Sequence, residues 1–129
     1  MARQKSVSLI IAILLVIMIM RPAYSTQNLT ASWYSEASCR REGTSGIMAN
    51  GRKLNDNNLT CASWDYSFGT RLAVRNLHNG KIVFVTVTDR GPVKRLYRQG
   101  RVLDLSKAAF AAIADLKQGI IEIAVERRE

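Results

Sequence analysis

The sequence predicts a small, mainly β domain that closes on itself, built from about six short strands and one helix. Three observations predict it. Short runs of alternating apolar and polar residues recur between Thr30 and Glu126, at the period of a strand. Turn residues separate these runs, and Asn79-Gly80 is the strongest hairpin signal among them. Only the stretch from Lys107 to Ala114 is Ala-rich and helix-forming. In so short a chain, open sheet edges would invite edge-to-edge pairing, which favours closure.

The elements follow in order. Thr30 to Ser35 reads as the first strand, with Ala31 and Trp33 on one face and Ser32 and Tyr34 on the other. Residues 36–58 are polar and rich in Gly and Asn, a long loop of the kind that carries function. Leu59 to Ser63 reads as a short strand. Arg71 to Asn76 and Lys81 to Thr88 flank the Asn79-Gly80 turn as a hairpin. Val83, Val85 and Val87 point one way, and Ile82 and Phe84 the other. That strand is apolar on both faces for much of its length, as interior strands are. Asp89-Arg90-Gly91-Pro92 turns the chain, and Lys94 to Arg101 is basic and irregular. Val102 to Leu105 reads as a strand, Ser106 as the N-cap of the helix, and Gly119 as the break after it. Ile121, Ile123 and Val125 alternate with Glu122, Ala124 and Glu126 in a half-buried closing strand.

The chain has 129 residues, 47% of them hydrophobic, a formal charge of +9 and a pI near 10.2. Whole-chain disorder is excluded by that composition. Residues 1–25 read as an export signal: Arg3 and Lys5 precede an apolar run from Val7 to Met20, and Ala23-Tyr24-Ser25 places small residues for cleavage after Ser25. An uncleaved anchor flanked by Arg21 is the alternative. No cysteine lies near the cleavage point, so no lipid attachment is expected. Removing residues 1–25 takes away Arg3, Lys5 and Arg21 and no acid, leaving 104 residues (26–129) at +6 as one domain. The expected location is periplasmic or secreted, without stable membrane insertion after cleavage. Cys39 and Cys61 are the only cysteines, and in an oxidising compartment a disulfide between them is the default. It would add about 3 kcal/mol in the chain-entropy model. Two free thiols, or half of a metal site, are the competing readings. With no Cys-x-x-Cys and His78 the only histidine, neither metal nor cofactor is expected.

Several segments together resemble the rare lipoprotein A family of the bacterial cell envelope. They are Ala31-Ser32-Trp33-Tyr34, Met48-Ala49-Asn50-Gly51, Leu59-Thr60-Cys61-Ala62-Ser63, Phe68-Gly69-Thr70, Asn76-Leu77-His78-Asn79-Gly80, Thr88-Asp89-Arg90-Gly91-Pro92 and Val102-Leu103-Asp104-Leu105-Ser106. Their order and spacing match across residues 30–126. The resemblance implies a six-stranded double-psi β-barrel, the fold shared with expansins. It also implies a lytic transglycosylase that cuts peptidoglycan glycan strands lacking stem peptides.

Such cleavage needs an acid for the leaving oxygen and a base for the 6-hydroxyl that closes the 1,6-anhydro ring; one carboxyl or two can serve. Asp89 matches the family's catalytic aspartate, and partial burial after an apolar strand would suit it to acid work. A turn-capping role is its alternative. Two positions depart from the family pattern: Arg52 stands where many members carry Glu, and Ser63 where many carry His. Asp65 and Glu42 are candidate substitutes. Asp104 reads as structural, beside the Ser106 cap. Tyr34 and Trp64 are candidates for stacking on sugar rings, with core packing as the alternative, and Asn50 is a further substrate-binding candidate. Arg90, Lys94 and Arg95, with Arg98, are placed to meet the lactyl carboxylates of muramic acid, or to form a solvated basic loop. A non-cutting, expansin-like glycan-binding module is the competing function. Nucleic-acid binding, suggested by charge alone, is set aside by the export signal. A monomer is expected.

Overall fold

The structure, a computed structural model, describes residues 28–129. The expected export signal at residues 1–25 lies outside the described residues. Among the described residues six strands close into one barrel in the order β1-β5-β2-β4-β3-β6. β1 spans Thr30–Tyr34, β2 Thr60–Ser63, β3 Arg71–Asn76, β4 Ile82–Asp89, β5 Arg101–Ser106 and β6 Ile120–Arg128. β1 with β5, and β2 with β4, run parallel. The remaining pairs, including β6 back onto β1, are antiparallel. Closure leaves no strand with a free edge. This is the double-psi barrel expected above.

The alternation read in the sequence sets the wall. Val83, Val85 and Val87 of β4, Leu72 and Val74 of β3, and Leu103 and Leu105 of β5 fill the interior and are all buried. A helix, α3 (Lys107–Ile113), packs against β1, β4 and β5 and inserts Phe110 and Ile113, both 0% exposed. Ser106 caps it, accepting from the Ala109 N–H, and donates to the Asn58 carbonyl at 2.6 Å, so one hydroxyl ties the long loop to the helix. Trp33 packs at the same end, its ring 6.5 Å from that of Phe110 and its Nε1–H on the Leu116 carbonyl.

Three features differ from the sequence reading. Among the described residues the outer face of β4 is not covered by a second layer: Ile82 and Phe84 are 54% and 44% exposed. The Arg128 guanidinium lies over the Phe84 ring at 5.3 Å and screens part of it. Segments expected to be irregular contain two further short helices, α1 (Glu36–Arg41) and α2 (Lys94–Arg98). α1 starts in a reciprocal cap, with the Ser35 Oγ accepting from the Ser38 N–H and the Ser38 Oγ from the Ser35 N–H. Serine fills the place where that motif usually carries Glu or Gln, which hid the helix start. The β3–β4 turn is as expected, with Gly80 at φ +76° and its N–H on the Asn76 carbonyl. Buried Asn76 donates its Nδ2–H to the Ile113 carbonyl and pins this hairpin to α3.

Phe110 is the largest side chain sealed in the core. Phe110→Ala is expected to cost about 3–5 kcal/mol, measured by denaturant unfolding, with the transition still cooperative.

Candidate active site

On the outer surface of the barrel, one row of residues crosses four adjacent strands. Ser32 of β1 stands opposite Asp104 of β5, Asp104 opposite Ala62 of β2, and Ala62 opposite Asp89 of β4. Strict alternation from buried Val87 would send Asp89 inward. The β2–β4 register slips by one residue between Cys61 and Ala62, leaving Thr88 as a bulge and turning Asp89 outward beside Ala62. The two aspartates therefore sit on either side of a methyl group, two strand spacings or about 10 Å apart along the backbone. They face one pocket of about 270 Å³. Tyr34, Ala62 and Gly91 complete its base, with Ile47, Met48 and Val93 at its walls and Glu42 on its rim.

The two carboxyls have different surroundings. The Asp89 carboxylate accepts from three donors: the Ala49 and Arg90 N–H groups at 2.8 Å on Oδ1, and the Tyr34 hydroxyl at 2.9 Å on Oδ2. All three are donors, so each bond is one that a carboxylate oxygen accepts. Burial, then the nearby Asp89 charge, holds the Tyr34 hydroxyl well above its ordinary pKa, so it stays protonated. Asp104 accepts one short bond, from the Ser32 Oγ at 2.6 Å. Desolvation pushes its pKa above the ordinary carboxyl value; the Ser32 bond and Arg101 oppose that, and Asp89 and Glu42 reinforce it. Such a carboxyl is suited to hold a proton and give it up. Gly91 lets the turn pass close beside it: a Cβ there would lie 3.3 Å from the Ala62 Cβ and 3.4 Å from Asp104 Oδ2.

The long loop reaches the pocket through a small turn. Ile47 bridges Lys53, the Met48 N–H reaches the Arg52 carbonyl, and Met48 and Leu54 are buried beneath. Ala49 on this turn is the residue that bonds Asp89, so the loop is docked on the carboxylate itself.

The other residues singled out from the sequence divide as follows. Glu42 reaches the pocket and Asp65 does not: Asp65 accepts from the Tyr97 hydroxyl on an exposed loop. Asn50 stays in the turn, its side-chain oxygen accepting from the Arg52 N–H. Arg90 borders the pocket, but its guanidinium bonds the Ser63 and Tyr66 carbonyls and lies 4.0 Å over the Phe68 ring. Lys94 lies over Trp64, and Arg95 is exposed on α2 away from the pocket lining. His78 is an exposed turn residue.

Asp104, read as structural, lines the pocket with its carboxylate bonded to Ser32; it is a lone carboxyl between inward Leu103 and Leu105, and its neighbours across the barrel appear only with the register. One expectation is corrected. Cys39 and Cys61 are both free thiols. Cys61 points into the barrel core, while Cys39 on α1 borders the pocket, so the wall of the barrel separates them.

The sequence model of one known family, lytic transglycolase, matches residues 26–125. The chain belongs to this family. It is 41% identical over 96 residues to a protein of Synechocystis named probable endolytic peptidoglycan transglycosylase RlpA, covering 74% of this chain and 27% of that one. A protein of Aquifex aeolicus with the same name is 41% identical over 91 residues, covering 70% and 36%. The chain thus spans about a third of the length of these relatives. A Clavibacter michiganensis expansin, solved as a point mutant in complex with cellohexaose, superposes with TM-score 0.53 and 26% identity, over 79% of this chain and 50% of that one. Family membership fits the barrel.

The raised pKa of Asp104 has a stability consequence. Between its unfolded and folded values the native state binds more protons, so stability falls as pH rises through that window. Asp104→Asn is expected to melt higher than the wild type near pH 7, with the gap closing below about pH 4. Melting curves across that range check it.

Proposed function

We propose that this chain is an exported lytic transglycosylase domain that cuts peptidoglycan glycan strands and leaves 1,6-anhydromuramic ends. The observation that carries the proposal is the Asp104–Ala62–Asp89 row in one pocket of a lytic transglycolase family member. Asp104 gives its proton to the glycosidic oxygen, and the bond from that oxygen to C1 of the muramic ring breaks. Asp89 takes the proton of the ring's own 6-hydroxyl, whose oxygen bonds to C1. No water is consumed, so the reaction is that of a lyase. Tyr34 holds the Asp89 carboxylate in place, Ser32 orients Asp104, and Glu42 on the rim helps keep Asp104 protonated. With Ser63 where many family members carry His, no imidazole is needed in this assignment.

Export rests on the signal-like residues 1–25 and on the substrate, which lies outside the cytoplasm; residues 26–129 then form the mature domain, in the periplasm or secreted. Among the described residues no helix is long and apolar enough to cross a membrane.

The expansin likeness favours a second reading, a glycan-binding module that does not cut. One assay separates the two. Purified protein is incubated with peptide-free glycan strands, and products are read by mass spectrometry. Anhydro-ended fragments are expected, and Asp89→Asn and Asp104→Asn should each lower the rate by about a hundredfold or more. Retained binding with no product from the wild type, where a family relative cuts the same strands, would establish the second reading instead.

A further inference from the structure

We infer that Trp64 and Lys94 form a binding position, next to the carboxylate pocket, for a glycan ring that carries an acidic substituent. The inference rests on the glycan reading above and names the feature of the strand that this surface recognises. Both residues lie beside the pocket along the chain: Trp64 follows Ala62 and Ser63, and Lys94 follows Val93, where Ala62 and Val93 are pocket residues.

Trp64 is 37% exposed yet held firmly, its Nε1–H donating to the Pro92 carbonyl at 2.6 Å. The Lys94 Nζ lies 3.8 Å from the centre of its indole ring, and 5.9 Å from that of Tyr97. The Tyr97 hydroxyl bonds Asp65, tying α2 to the loop that bears Trp64. Among the described residues no carboxylate pairs with Lys94. Arg90, by contrast, donates from Nη1 to two carbonyls and lies over Phe68.

A fixed, partly exposed indole is a plane on which the apolar face of a sugar ring stacks. The ammonium resting on it is held by an exposed cation–π contact, weaker than a charge-assisted hydrogen bond to a carboxylate. A ring bearing a carboxylate, such as the lactyl ether of muramic acid, draws Lys94 off the indole and takes its place on the aromatic face. A neutral ring offers Lys94 nothing in exchange and competes with it for the same face. The position therefore selects the carboxylated sugar of an alternating strand over an uncharged chitin-type chain.

The test is calorimetric binding of the purified protein to peptide-free peptidoglycan strands and to chitin oligosaccharides of matched length. The wild type is expected to prefer the carboxylated strand by about tenfold, and the preference should shrink with added salt. Lys94→Met should abolish the preference, Lys94→Arg should keep most of it, and Trp64→Ala should weaken both ligands. Lys94 is exposed, so its variants leave the fold intact, which melting curves verify. A wild type with no preference, or a Lys94→Met variant that keeps it, overturns the inference. Binding is read apart from cleavage, so a protein that binds with this preference but releases no anhydro product removes the enzymatic reading and leaves this one standing.

Discussion

Where β2 pairs with β4, Cys61 faces Val87 and Ala62 faces Asp89, which leaves Thr88 without a partner of its own. The pocket depends on that single extra residue. Without it, Asp89 would follow Val87 toward the apolar core cluster. With it, Asp89 emerges on the same side as Asp104, and Ala62 is the only side chain between them in the row. A bulge needs firm pairing on both sides to persist. Closure supplies it: β2 is held by β5 on one edge and by β4 on the other, and the buried Val83-Val85-Val87 face fixes the register of β4 before the slip.

The two aspartates show how environment separates like groups. Both lie in one pocket, and the Asp89 charge works against ionisation of Asp104. Asp89 sits at a strand end, where two backbone N–H groups and a phenol converge on it. Asp104 sits mid-strand, where the backbone is committed to barrel pairing and only the Ser32 hydroxyl is within reach. Strand position thus decides how many donors each carboxyl meets, and desolvation, only partly offset by the Ser32 bond, holds the Asp104 pKa above its ordinary value. The same desolvated wall pushes the Cys61 thiol up to about 12, so that cysteine stays an inert core group behind the site.

The barrel was legible because its physics is local. Alternation in β3, β4 and β6, the Asn79-Gly80 turn and the Ser106 cap each follow from neighbouring residues, and each is where the sequence placed it. Asp89 was legible through the Asp-Arg-Gly-Pro motif and the family resemblance. What escaped depends on non-local register. Asp104 and Ser32 are 72 positions apart, and only the parallel β1–β5 pairing makes them partners. The free thiols have the same origin: a spacing compatible with a loop-closing bridge says nothing about which side of a wall each cysteine faces. The hidden start of α1 was a different failure, a cap made from serine alone.

Net charge is the feature that changed meaning most. Counted along the chain, Arg90, Lys94, Arg95 and Arg98 look like one basic patch. In the structure Arg90 Nη1 donates to the Ser63 and Tyr66 carbonyls, joining the turn that carries Asp89 to the loop that carries Trp64. Its charge works as an internal brace, with the desolvated face of the fork covered by Phe68. Lys94, a compact charge on a flexible stem, rests on Trp64 instead and remains exchangeable. The brace joins the loop that carries the indole, and Lys94 rests on that indole. A basic run along the sequence thus holds cations in different settings, Arg90 joining two loops beside the carboxylates and Lys94 resting on an indole next to them.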